Sequence, residues 1–246
     1  MRRLILSDLH ANWEALASVV AHAAGSYDEI VCLGDVAGYG AAPREVVDWA
    51  REHCAHIVRG NHDKAVCGLD SMENFNDMAR AGVEWSRAQL DESQLEWLRG
   101  LPEGPLLLGG AEFAHGSPHD EDGYLLMMTD ARELFEVYRA PLCFFGHSHL
   151  QGGFRYGEYR LERLPRPQLY QMETALLLEE EYCYLVNPGS VGQPRDGDPR
   201  AAYVIWEDEA KLVLYRRVAY EVDRAVRRIL DAGLPPILAE RLVAGR

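Results

Sequence analysis

Ala55-His56-Ile57-Val58-Arg59-Gly60-Asn61-His62-Asp63 sets the reading of this chain. A short apolar run, 55–58, is followed by Arg59 and then by glycine and three side chains able to hold metal or protons. The run reads as a strand, and Gly60 to Asp63 as a turn at its C-terminal end, where open α/β sheets keep their chemistry. Three other stretches share the arrangement: Leu4-Ile5-Leu6-Ser7-Asp8-Leu9-His10, Ile30-Val31-Cys32-Leu33-Gly34-Asp35 and Leu142-Cys143-Phe144-Phe145-Gly146-His147-Ser148-His149. A fifth, Phe113-Ala114-His115-Gly116, fits between them.

Working outward, 4–6 reads as a buried first strand, with Asp8 and His10 in the loop before a helix over 12–24. Asn12 suits its N-cap, Glu14 suits the helix dipole, and Leu16, Val19 and Val20 fall at helical spacing for the core. A second strand over 30–33 delivers Gly34-Asp35, and Pro43 opens a helix whose apolar face is Val46, Val47 and Ala50. The result is a βαβαβ pattern, which predicts parallel strands joined by right-handed crossovers. Residues 73–100 then read as two helices broken at Leu90-Asp91. Asp91 and Gln94 form a capping box, Leu90 and Leu95 a hydrophobic staple, and Gly100 and Pro102 the stop. Trp85 and Trp97 recur with aliphatic neighbours at helical intervals, so they are packing residues.

The stretch 117–129, rich in Pro, Gly, Asp and Glu, reads as a substrate-facing loop. A helix over 130–138 precedes the strand into Gly146-His147-Ser148-His149. Alternating stretches over 153–185 predict antiparallel strands, with 155–171 irregular, and 202–206 with 211–217 predict a hairpin in a second sheet packed on the first. Two helices, 222–231 and 236–243, close the chain without any residue pattern that points to chemistry. Early parallel units and late antiparallel strands call for separate sheets sharing one core, with helices outside. One domain over 1–246 is expected, with 73–100 as a helical insertion and 220–246 as C-terminal helices.

Twenty-five Lys and Arg against 39 Asp and Glu leave a net charge of −14. That balance disfavours long duplex nucleic acid, whose binding rests on neutralising phosphates. No apolar run approaches the roughly 20 residues of a bilayer span, and Arg2-Arg3 is followed by only three apolar residues, so no signal peptide is read and a cytoplasmic location is expected. The five cysteines are widely spaced, with no CxxC pair for a thiolate metal site.

Asp8-x-His10, Gly34-Asp35, Gly60-Asn61-His62-Asp63, glycine-flanked His115 and Gly146-His147-Ser148-His149, in that order, resemble the metallophosphoesterases of the calcineurin-like superfamily. The resemblance covers about 4–217. It implies an α/β fold, a four-layer α/β/β/α sandwich of two mixed sheets flanked by helices. It also implies hydrolysis of phosphate esters by in-line attack of a metal-bound hydroxide. Two divalent ions, manganese, iron or zinc, would be held by Asp8, His10, Asp35 and His149 and by Asp35, Asn61, His115 and His147, with Asp35 bridging. His62 would face the leaving-group oxygen, where an imidazole of ordinary pKa near 6.5 suits a general acid; Asp63 would bond loop amides.

Gly34-Asp35-Val36-Ala37-Gly38-Tyr39-Gly40 lacks the later Asp and the Arg of the Gly-Asp-x-x-Asp-Arg-Gly motif that marks the serine/threonine phosphatases, which argues against protein-phosphatase activity. The run from Asn187-Pro188-Gly189-Ser190 to Arg200 is similar instead to small prokaryotic phosphoesterases of the superfamily, and Arg195 within it would supply the missing phosphate-binding charge. A small phosphorylated substrate is expected. Two alternatives stay open: a phosphodiesterase or nucleotidase on small nucleotides, and a non-enzymatic protein-binding scaffold with the same fold. The intact ligand set and His62 count against the scaffold.

Overall fold

The computed structural model describes residues 1–246. The chain opens β1 (Arg2–Leu6), α1 (Trp13–Ala23), β2 (Glu29–Cys32), α2 (Pro43–His53), β3 (His56–Ile57), with β1, β2 and β3 parallel. Asn12 caps α1 by accepting the Ala15 N–H at 3.2 Å, and Pro43 stands in the first turn of α2. One local expectation changes. Gly60-Asn61-His62-Asp63 is not an open turn; Gly60 is the N-cap of α3 (Asn61–Cys67), and the next three residues are its first turn. The cause is Asp63, whose Oδ2 accepts the Gly60 N–H at 3.0 Å and closes the helix start.

The two helices α4 (Asp77–Gln89) and α5 (Glu92–Arg99) follow, with Asp91 and Gln94 exchanging backbone-to-side-chain bonds at 3.0 Å each. Then come β4 (Leu106–Leu108), β5 (Ala111–Phe113), α6 (Met128–Val137), β6 (Leu142–Phe144), β7 (Gly152–Gly157), β8 (Arg160–Arg163), β9 (Glu173–Leu177), β10 (Cys183–Asn187), β11 (Ala201–Glu207) and β12 (Leu212–Val218). Helices α7 (Val222–Asp231) and α8 (Pro236–Ala244) end the chain. Of the irregular stretch 155–171, the part up to Arg163 belongs to the β7–β8 hairpin, and 164–171 forms neither helix nor strand. No helix is long and apolar enough to cross a membrane.

Two six-stranded sheets form, ordered β3-β2-β1-β11-β12-β9 and β4-β5-β6-β10-β7-β8. The strands do not segregate into an early parallel and a late antiparallel sheet: β11 pairs antiparallel with β1, and β6 pairs parallel with β10. Strand β11 explains why. Ala201 to Trp206 is apolar throughout and buried on both faces, so it belongs mid-sheet beside β1.

Alternation along the strands builds the layers. Ile5, Val31, Val204 and Trp206 point between the sheets onto Phe113, Phe144 and Val186. Leu4, Leu6, Cys32, Tyr203 and Ile205 face the other way, onto Leu16, Val19, Val46, Val47 and Val66 of the helices. On the far side, Leu134 and Phe135 of α6 cover Cys143, Phe145 and Leu185. Helix, sheet, sheet, helix is the order, and the fold is α/β with two mixed sheets.

Candidate metal centre

Each candidate ligand stands just past a strand end or at a helix start. Asp8 and His10 follow β1, Asp35 follows β2, Asn61 opens α3, His115 follows β5, and His147 and His149 follow β6. Asp8, His10, Asp35, Asn61, His115, His147 and His149 are thereby brought to one place. Asp8, His10, Asp35 and His149 form one compact group, and Asp35, His115 and His147 a second, with Asp35 in both. Asp35 Oδ2 lies 3.5 Å from His10 Nε2 and 3.5 Å from His115 Nε2. His149 Nε2 is 3.3 Å from Asp8 Oδ1, and Asn61 Oδ1 is 3.3 Å from His115 Nε2. Donors about 2.0–2.2 Å from a shared ion sit at such separations.

The hydrogen bonds behind the rings say which nitrogens are free. His10 Nδ1 faces the Ala37 carbonyl at 3.1 Å, His115 Nδ1 the Leu33 carbonyl at 2.7 Å, and His149 Nδ1 the Gln193 carbonyl at 2.6 Å. A carbonyl only accepts, so each Nδ1 carries the proton, and in a neutral ring Nε2 is left with its lone pair. His10 Nε2 and His149 Nε2 then meet at 3.1 Å as two lone pairs, an arrangement that needs a cation between them. His147 turns Nδ1 to His115 Nε2 at 3.1 Å.

Further signs point the same way. Both oxygens of Asp8 and Asp35 Oδ2 are buried without a hydrogen-bond partner, which no stable carboxylate tolerates unless a cation or proton answers it. Asp35 Oδ1, by contrast, accepts the His62 N–H at 2.9 Å, leaving Oδ2 for the centre. Asp8, His10, Asp35, His147 and His149 also have positive φ, between 44° and 63°. Left-handed backbone at non-glycine residues costs of order 1–3 kcal/mol each and clusters at functional sites. Close approach is arranged too: a Cβ on Gly60 would stand 2.1 Å from Asp35 Oδ1.

Electrostatics follow from burial. Desolvation pushes Asp8 up to about 7. It pushes Asp35 the same way, but the imidazoles around it, His115 foremost, hold Asp35 well below its ordinary value. Burial opposes charge on His115, and the carboxylates of Asp35 and Asp8 outweigh it, raising His115 to about 10. Positive charge is drawn to the space between these groups. Burial lowers His147 to about 3 and His10 and His149 well below 6.5, so their nitrogens stay available as donors to metal.

His62 sits beside the centre, edge-on to His10 at 4.8 Å and to Phe75 at 5.0 Å, and tilted on Tyr39 at 4.5 Å. Its ordinary pKa does not survive this setting: burial lowers it to about 4. Nδ1 is buried with no partner, tight against Gly38, where a Cβ would approach it to 2.3 Å and where φ is +90°. Asp63 bonds loop amides, accepting from Val36, Ala37 and Gly60. Arg195 lies with its guanidinium 5.5 Å from the Tyr39 ring centre, near enough for its charge to act on Asp8, His10, His62 and His149.

Sequence reasoning missed several contributors. Tyr124, in the acidic loop, stacks on His147 with ring centres 3.8 Å apart. Asn187 donates to the Gly146 carbonyl and to Ser148 Oγ, and Ser190 Oγ donates to the Asp8 carbonyl, so this loop underpins the ligand backbone. The Pro-Gly-Ser turn flagged the loop but not these bonds.

The comparisons with known proteins agree. Residues 1–211 match the model of the calcineurin-like phosphoesterase superfamily domain, and the chain belongs to that family. An uncharacterized protein of Methanocaldococcus jannaschii is 35% identical, over 98% of this chain and 97% of its own. The crystal structure of a metallophosphoesterase from Sphaerobacter thermophilus superposes with a TM-score of 0.85 at 37% identity, covering 100% of this chain and 99% of that one. A hypothetical protein from Pyrococcus horikoshii shares the fold, with a TM-score of 0.75 at 18% identity over 100% of this chain and 98% of that one.

Proposed function

We propose that this protein is a dinuclear-metal-dependent phosphoesterase. Asp8, His10, Asp35 and His149 would hold one divalent ion and Asp35, Asn61, His115 and His147 the other. Nitrogen and oxygen donors without thiolate suit manganese, iron or zinc. Bound as a pair, such ions polarise a phosphoryl group, lower the pKa of bound water and clamp both sides of an in-line displacement. The observation that carries the reading is Asp35 Oδ2, equidistant at 3.5 Å from a histidine of each group.

The chain's own residues supply the rest. Arg195 adds the positive charge that the stretch after Asp35 lacks, and it draws the phosphoryl group in. His62 offers Nε2 to the leaving-group oxygen, since Nδ1 is enclosed. An anionic phosphoryl group beside the ring favours its charged form, so the proton is taken up as substrate binds and passes to the departing oxygen.

The test is a hydrolysis screen of phosphomonoesters, phosphodiesters and small nucleotides with metal-stripped protein resupplied one metal at a time. Turnover should appear only with metal. Bound metal with no hydrolysis of any ester would move the reading to a protein-binding scaffold.

A further inference from the structure

Beside the metal centre opens a cleft of about 240 Å³, with Asn61, His62 and His147 at the end nearest the ligands. Its walls carry Tyr39, Phe75 and Tyr124, and its rim Asp70, Asn74 and Asn76. Tyr124 stacks on His147 yet stays 50% exposed and lines the cleft, so the aromatic side chain is available to a ligand there. Phase-free stacking of this kind accepts any flat ring, and stacking on an aromatic side chain is worth about tenfold or more in affinity per base.

The rim adds hydrogen-bonding groups with capacity to spare. Asn76 Oδ1 accepts the Ala79 N–H at 3.0 Å, which leaves its amide N–H groups to donate. Asp70 Oδ1 accepts the Met72 N–H at 2.7 Å, which leaves Oδ2 to accept. Asn74 is exposed and offers both kinds. Amides and carboxylates are the side chains that read the edges of nucleobases. No lysine or arginine lines the cleft, and Asp70 does, whereas Asp122 at its edge is already bonded through both oxygens to Lys64. A leaving group that carries further phosphates would meet negative charge there without a partner.

We propose that this cleft is the leaving-group subsite and that it selects nucleoside monophosphates, a flat, uncharged, hydrogen-bonding alcohol esterified to a single phosphate. The assignment rests on the phosphoesterase reading above and names its substrate class. In the reaction the oxygen of water bonds to phosphorus as the P–O bond to the nucleoside oxygen breaks. His62 gives its proton to that oxygen and recovers one from the attacking water, and nucleoside and inorganic phosphate leave.

The experiment measures kcat/KM of the metal-loaded protein on adenosine 5′-monophosphate, adenosine 3′-monophosphate, phenyl phosphate, glycerol phosphate and adenosine diphosphate. One or both adenosine monophosphates should exceed glycerol phosphate by about tenfold or more, and the diphosphate should be poor. Tyr124→Leu should cut that preference about tenfold, Tyr124→Phe should keep it, and Phe75→Leu should lower it independently of the His147 contact. Asp70→Asn together with Asn74→Ala should bring adenosine monophosphate down toward phenyl phosphate. Hydrolysis of glycerol and phenyl phosphates with no nucleoside preference, or a preference untouched in both Tyr124→Leu and Phe75→Leu, overturns the subsite while leaving the phosphoesterase reading intact. Failure to hydrolyse any of the five overturns the subsite, and if the phosphodiesters of the wider screen are also inert it overturns the phosphoesterase reading.

Discussion

The ring of His62 is neutral in the free protein across the physiological range, because burial against Tyr39, Phe75 and His10 withdraws its charged form from water. Raising the pH through about 4 removes its charge, so an acid role is available only where bound substrate lifts that value. kcat/KM reports the free protein and kcat the complex. The ionisation of His62 should therefore lie higher in the kcat profile than in that of kcat/KM, with kcat falling as pH rises through it. His62→Ala should lose about 10²- to 10⁴-fold in kcat on an ester with a poor leaving group and less on an activated aryl phosphate. Its metal content should match wild type. Equal losses on both esters would assign His62 to positioning the phosphoryl group, and lost metal would make it a ligand.

The acidic loop 117–127, which carries Tyr124, is held through ion pairs to Lys64 of α3 and to Arg59 just before it. Lys64 Nζ donates to Glu121 Oε1 at 2.8 Å and to both oxygens of Asp122 at 2.8 and 2.7 Å, and Arg59 grips Glu121 at 2.8 and 3.0 Å. The Lys64 and Glu121 side chains are 9% and 16% exposed, so their pair is the better shielded, while Asp122 is 45% exposed and its pair is screened by solvent. Lys64→Met should speed amide hydrogen exchange across 117–127 by about tenfold or more, because it removes the charge-assisted bonds to both Glu121 and Asp122. Unchanged exchange there would show that the loop holds itself. At this scale the sequence was a good guide where a local rule dominates. Asn12, Pro43, the Asp91/Gln94 box and the final helices were readable because caps and breakers act within a few residues. It was a poor guide to α3, where one carboxylate, Asp63, converts a glycine turn into a helix start. It was also a poor guide to which sheet each late strand joins. That depends on the free edge of β1, which no local pattern records. The motifs pointed to the seven candidate ligands that the fold brings together; the left-handed backbone of five of them, the lowered pKa of His62 and the stacking of Tyr124 come from contacts distant in sequence.

Across the whole molecule the two sheets are joined at a buried polar seam behind the site. Gln151, just before β7, donates to the carbonyls of Pro188, Tyr203 and Arg216 and accepts from Arg217 of β12 at 2.9 Å. Arg217 also pairs with Asp196, with side chains 1% and 2% exposed. This ties the 188–200 loop, whose Gln193 carbonyl orients His149, to both sheets. Arg217→Met would leave the buried Asp196 carboxylate with only the longer contacts to Arg166 at 3.5 Å and the Gln151 N–H at 3.3 Å, and should cost about 3 kcal/mol in denaturant unfolding, much of it recovered in Arg217→Met with Asp196→Leu. A loss under 1 kcal/mol in the single variant would show that the seam is dispensable. That one carboxylate joins two ion sites can be checked by counting bound metal. Metal-stripped protein titrated with manganese and analysed for bound metal should hold two ions per chain, and Asp35→Asn should weaken both. A single ion in the wild type, or two tightly held ions in Asp35→Asn with normal turnover, would contradict it.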